Sequence, residues 1–384
     1  FASQEIIIDE YFSPYSGAAS IQFAQWGLLK GEDTLFPLSE EVTTAKIWGR
    51  LFEMLGWSLV NSLGSVTQHE VFGHGYRLRE LGITPSSYSI TPWSGGTSFG
   101  IPFSDPAGNY MAITIAGLEA NAIMGQQYKM HAMQAGCLDG RSATLYTASH
   151  LALFDYIIAT HESRNTNKVI EGNDIEAYLA LYNSTYPTDP LTLGQLTRWS
   201  LFSFLDPMTI YTWISEFYYI AFGEAWVFPV IELTDNITYL PNISVALAPY
   251  GPEAYLQNFF SINDHPLYGY IKGAKRGVGL GIAYDYLLAK EKGSLGGKID
   301  LWRQHQFITS ATVGDIEEKR PLDRPELSNI VYGVAASLIG RYYLTPSFGF
   351  YAELGGKTAG YLPGYSLGGS LTARIGLSII SGLQ

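Results

Sequence analysis

The chain has 384 residues, with 23 Lys+Arg against 35 Asp+Glu, seven His and one Cys. Charged residues are 15% and hydrophobic residues 47%, which excludes a disordered chain and leaves too little charge to cover an ordinary soluble cytosolic enzyme. A net charge of −12 argues against a nucleic-acid partner, and the single Cys137 excludes an internal disulfide or a multi-cysteine metal site.

At about 150 residues per domain this length predicts two to three domains. Residues 1–225 carry 10 Lys+Arg and 22 Asp+Glu, whereas residues 226–384 carry 13 of each. The acidity therefore belongs to the first part. The expected division is a helical domain over 1–225 and a β-barrel over 226–384, an α+β fold. The start Phe1-Ala2-Ser3, without a basic n-region or an apolar h-region, fits an exported chain whose signal peptide has been removed.

In chain order, Ser39-Glu40-Glu41 offers an acidic helix start, and Ile47, Leu51, Leu55 and Leu59 follow at helical spacing. Residues 54–68 are uncharged and run directly into His69-Glu70. Further helices are predicted at 107–136, 142–162, 173–183 and 191–224. None holds 18 uninterrupted apolar residues, because Asp155, Asp206, Glu216 and Glu224 intervene, so no standard transmembrane helix is established.

From about residue 228 the apolar pattern changes to period two. Hairpins are predicted around Pro249–Pro252, Ala274–Gly277 and Thr345–Ser347. With Ile299–Phe307 and Ser366–Ile379 the count is about eight antiparallel strands. Gly277-Val-Gly-Leu-Gly281 lies inside this strand pattern and reads as strand glycine, not a nucleotide loop. Asp315–Arg324 reads as a solvated loop. A soluble sandwich or lipocalin-like barrel is one solution for this half. The long Gly-bearing strands with Tyr and Phe near their ends resemble the small barrels of Gram-negative outer membranes. That resemblance implies the cell outer membrane as location and membrane lipid as a partner.

The strongest local motif is Gln68-His69-Glu70-Val71-Phe72-Gly73-His74-Gly75. Two imidazoles flanking a carboxylate are the parts of a catalytic zinc site, with the Glu as general base on water. The two His are five residues apart, which is about 140° around a regular α-helix. Both can face one ion only if the helix widens locally, as in a π-bulge, and Gly73 sits where that distortion falls. His69, Glu70, Gly73 and His74 resemble the His-Glu-x-x-Gly-His motif of dipeptidyl-peptidase III enzymes, in which both His hold zinc. A longer order of motifs is similar to that of site-2-protease-type membrane metallopeptidases. It runs from His69-Glu70 and His74 through Arg77, Arg79 and Gly82 to Gly95-Gly96 and Ala116-Gly117-Leu118-Glu119-Ala120-Asn121.

These resemblances imply Zn²⁺ held by His69 and His74, with Glu70 as catalytic base. Glu119 is the first choice for the third metal ligand, since it interrupts the otherwise uncharged Met111–Gln127 stretch and an acid there needs a partner. The alternative is that Glu119 pairs with Arg77 or Arg79. Asp139 and Asp206 are the other ligand candidates, and His131, His150 and His161 read as core or surface histidines. The expected function is a membrane-associated zinc metallopeptidase acting on a peptide or protein. The alternatives are a zinc-dependent lipid or lipopolysaccharide hydrolase, or a non-enzymatic outer-membrane anchor or assembly subunit with envelope protein partners and a vestigial site.

Overall fold

Period-two alternation builds one layer of the molecule, and 3.6-residue periodicity builds the helices packed against it. The structure, a computed structural model, describes residues 3–36, 42–100, 107–166, 172–312 and 329–380. Strand β1 (Ser3–Asp9) comes first, then α1 (Pro14–Leu35), α2 (Thr44–Thr67), a π-helical turn (Gln68–His74) and α3 (Gly75–Glu80). The hairpin of β2 (Ser87–Ile90) and β3 (Gly95–Ser98) leads to α4 (Ala107–Ala135), α5 (Gly140–His150), α6 (Ala152–Thr166) and α7 (Asp174–Thr185). After α8 (Leu193–Ser200) and a 3-10 turn (Leu201–Leu205), α9 (Pro207–Phe222) closes the helical stretch. The remaining strands are β4 (Ile231–Thr234), β5 (Ile237–Ala248), β6 (Gly251–Ile262), β7 (His265–Ala274), β8 (Gly277–Lys290), β9 (Gly293–His305), β10 (Ile330–Thr345), β11 (Phe348–Lys357) and β12 (Ser370–Ile380).

Ten strands form one antiparallel sheet in the order β1-β12-β11-β10-β9-β8-β7-β6-β5-β4. The expected eight each have a counterpart, from β5 to β12. The two additions are the four-residue edge strand β4, too short to show alternation, and β1, which pairs with β12 from the other end of the chain. The sheet thus takes its first strand from ahead of the helices. The edge strands β1 and β4 do not pair with each other, so strand pairing alone does not close a barrel. The stretch expected as one helix over 191–224 is broken at Asp206-Pro207, where Asp206 caps α9 and proline takes its first position. The charged run Asp315–Arg324 lies outside the described residues.

The sheet is inverted relative to a soluble protein. On β9, Asp300, Trp302 and Gln304 are buried while Leu295, Ile299 and Leu301 are exposed. Strands β10 to β12 repeat this, with Arg341, Glu353 and Arg374 inward and Leu338, Leu354 and Leu371 outward. The inner face closes on α4 and α1, and its charges pair: Lys272–Glu253 at 3.0 Å, Arg341–Glu5 at 2.6 Å and Arg374–Glu353 at 2.8 Å. A separate apolar core joins helices to sheet through Ile115, Leu153, Ile157, Tyr178, Val245 and Leu247. No described helix is long and apolar enough to cross a membrane.

Candidate metal centre

Helix α2 continues into the turn Gln68–His74, which winds as a π-helix. Five-residue spacing favours this winding, because i→i+5 hydrogen bonding sets His74 above His69 instead of across the helix from it. The Gly75 N–H accordingly reaches the Glu70 carbonyl. Gln68 pins the turn between two helices, its Nε2 donating to the Pro14 carbonyl (2.9 Å) and the Ala120 carbonyl (3.0 Å). Glycines admit the close approach to α4. A Cβ on Gly73 would lie 2.6 Å from the Ala116 carbonyl oxygen, and one on Gly117 would lie 2.2 Å from His69 Nε2. The Ala116-Gly117 segment of the sequence is therefore the floor under the His69 ring.

Three acceptor-bearing atoms converge at this floor. His69 Nε2 and His74 Nε2 are 3.1 Å apart, and Asp174 Oδ2 lies 3.1 Å from the first and 3.2 Å from the second. All three residues are buried. The Nδ1–H of His74 donates to the Ile113 carbonyl at 2.7 Å, which fixes the tautomer and turns the Nε2 lone pair toward the other two atoms. His69 Nδ1 has no partner among the described residues. Its ring is held instead by Gly117 and by stacking on Tyr156, with centroids 5.2 Å apart.

This donor set fits a zinc ion. Ligands at about 2.0–2.1 Å in tetrahedral arrangement stand roughly 3.3 Å from one another, close to the spacing seen here. Two imidazole nitrogens and one carboxylate oxygen leave a fourth position open, the arrangement of catalytic rather than structural zinc. The field at the centre also favours a cation. Burial pulls the His74 imidazole down, but the Asp174 carboxylate, with Glu70 behind it, outweighs burial and sets it at about 9. Burial pushes the Asp174 carboxyl up, and the two imidazoles outweigh this and hold it at about 2.

Glu70 also has a carboxylate oxygen within 4.8 Å of both histidines. Its Oε2 accepts from Thr97 Oγ1 at 2.7 Å, and Gly95 packs so closely that a Cβ there would lie 2.4 Å from Oε1. The Gly95-Gly96 segment is thus the first half of β3, laid against the Glu70 carboxylate. The Tyr156 hydroxyl lies 3.3 Å from His69 Nε2, and burial pushes this phenol up, so it stays protonated at neutral pH.

Glu119 is not brought to the histidines. Its Oε1 accepts from Arg77 Nη2 (2.7 Å) and the Gly364 N–H (2.6 Å), and its Oε2 accepts from the Tyr361 hydroxyl (3.1 Å). A buried carboxylate with three donors is already satisfied. The position expected for Glu119 is held by Asp174, on the first turn of α7. Asp139 caps α5 and pairs with Arg141 at 2.8 Å, and Asp206 is buried against Lys129 at 3.0 Å. His150 lies beside Asp206, His161 bonds Thr197, and His131 bonds Gln22. Sequence reasoning missed Asp174, Tyr156 and Thr97. One signal was present for Asp174: Asn173 already supplies the side-chain cap of α7, accepting from the Glu176 N–H, which leaves the next acid free for another task.

No known protein-family model matches this chain, and no curated protein does. Among solved structures the chain is similar to the NanC porin, at 13% identity and a TM-score of 0.25, over 39% of this chain and 75% of that one. A likeness at that score carries no weight for fold or function. The reading of the site rests on its own geometry.

Proposed function

We propose that this protein is a zinc-dependent peptidase seated in an outer membrane by its sheet. The observation that carries the reading is the convergence of His69 Nε2, His74 Nε2 and Asp174 Oδ2 within 3.2 Å beside the Glu70 carboxylate. His69, His74 and Asp174 would hold the ion, and a zinc ion there supplies Lewis acidity toward a carbonyl oxygen and makes water easier to deprotonate. Glu70, oriented by Thr97, takes the proton from the attacking water and returns it to the leaving amine. The Tyr156 hydroxyl donates to the carbonyl oxygen as negative charge develops on it. Strand β3 favours a peptide over a lipid. Its second edge is unpaired among the described residues, and an extended chain can add to it beside Glu70.

The sheet supplies the membrane reading. An outward face of Leu, Ile and Val over an inward face of paired charges is the polarity of an outer-membrane barrel. Helix α4 packs on the inner face at β5, β6 and β7, and the inward charges pair with one another, which favours an anchor over a conducting channel.

The test is peptide-library cleavage by the full chain in detergent, with Glu70→Gln alongside. Expected are metal-dependent cleavage by the native chain and a loss of about 10²–10⁴-fold in the variant, with zinc retained. Release of acyl chains from lipid without peptide cleavage would move the substrate to the lipid class. Absence of bound metal would make the cluster vestigial.

A further inference from the structure

A chain of contacting helices runs from β5, the neighbour of edge strand β4, to the other edge strand β1. The 3-10 turn packs on β5 and on α9, and α9 packs on α2, where Arg50 Nη1 donates to the Ala221 carbonyl at 3.0 Å. Helix α2 is tied to α1 by Gln25–Asn61 at 2.6 Å and by Trp57–Glu32 at 2.8 Å. Helix α1 lies along β1, with Ser16 Oγ donating to the Ile7 carbonyl at 2.5 Å. The circuit runs sheet, α9, α2, α1, sheet.

Helices α2 and α9 carry the same inverted polarity as the strands. On α2 the buried stripe is Arg50, Met54, Trp57, Asn61 and Ser65, three of them polar. The exposed stripe is Trp48, Phe52, Leu55, Leu59 and Leu63, with Phe52 68% exposed. On α9 the exposed residues are Ile210, Trp213, Ile214 and Phe217, spaced i, i+3, i+4, i+7, with Phe217 73% exposed. A soluble protein turns such stripes inward. From Trp48 to Leu63 the α2 stripe is about 22 Å long at 1.5 Å per residue, near the height of about 25 Å of the apolar band on membrane barrels.

We propose that the outward faces of α2 and α9 contact bilayer hydrocarbon and complete the lipid-facing perimeter that the sheet leaves open. This rests on the membrane reading of the sheet. The occupant is acyl chain and not a partner protein, because helices and strands alike turn apolar side chains outward, and exposed Leu201, Phe202 and Leu205 of the 3-10 turn lie between the α9 stripe and β5. An occupant must therefore surround the molecule, as a bilayer does and a docked protein does not. The helices need not cross the membrane unaided, since their inward stripes are satisfied by the protein.

The test uses the full chain in phosphatidylcholine vesicles, with Cys137→Ala and one spin-labelled cysteine at a time. The replacements are Phe52→Cys and Leu59→Cys on α2, Ile210→Cys and Phe217→Cys on α9, and Leu301→Cys and Leu371→Cys on the sheet. All six side chains are exposed, and two sites per element guard against loss of one variant to misfolding. Expected is severalfold preference for collision with oxygen over aqueous nickel chelate at helix and sheet sites alike. Nickel preference on the helices with oxygen preference on the sheet would overturn this proposal alone. Helix labels shielded from both reagents would mean a protein cover and would overturn it as well. Nickel preference at the sheet sites too would overturn the membrane reading beneath it.

Discussion

Two buried clusters in this molecule set histidine against aspartate, and they neutralise the carboxylate by different means. Around Asp206, Lys129 stands at 3.0 Å and His150 at 3.3 Å, and the Tyr146 hydroxyl donates to the same oxygen. The cation is built into the chain. Around Asp174, the ion pairs among the described residues are with His69 and His74, whose ring nitrogens offer lone pairs when neutral. The cation must come as a proton or as a metal. The comparison separates a carboxylate whose counter-ion is built into the chain from one that is left open to an external cation.

The largest expected effects come from neutralising each acid in turn. Asp174→Asn should lower zinc affinity by more than about 100-fold. Asp206→Asn should leave zinc content unchanged and cost roughly 3–5 kcal/mol, because Lys129 is left buried and unpaired. Zinc titration and denaturant unfolding read the two outcomes, and a loss of metal in Asp206→Asn would erase the distinction. Next in size, Tyr156→Phe should reduce kcat by about 10²-fold with zinc content unchanged. Tyr146→Phe, its counterpart at the structural cluster, should not change kcat. The last effect is on pH. With the His74 imidazole set at about 9 in the metal-free chain, a proton must leave before the nitrogen can ligate. Zinc affinity should therefore rise with pH and level off near that value, as isothermal titration across pH would show. Affinity independent of pH below it would contradict a ligand role for His74.

The legible part of this site was local. His69, Glu70 and His74 lie in one turn, and bringing both histidines to one point at that spacing calls for the π-helical winding the structure adopts. Asp174 stands 105 residues from His69 in Asn173-Asp174, a pair that reads as an ordinary acidic helix start. Glu119 looked like a ligand because it was the lone acid in an uncharged helix. The physical demand is real, and Arg77, the alternative partner the sequence already offers, meets it together with the backbone at Gly364, whose nearness is not visible along the chain. Tyr156 is one of 27 tyrosines, and only its stacking on His69 sets it apart. In the sheet, alternation exposed β5 to β12, whereas β1 gained its partner from the opposite end of the chain.

The most direct test of the metal centre is elemental analysis of the purified full chain after equilibration with zinc and removal of excess. The account predicts about one zinc per chain, lost in Asp174→Asn and in the double replacement His69→Ala, His74→Ala. Metal that survives the double replacement, or a native chain that binds none, would contradict it.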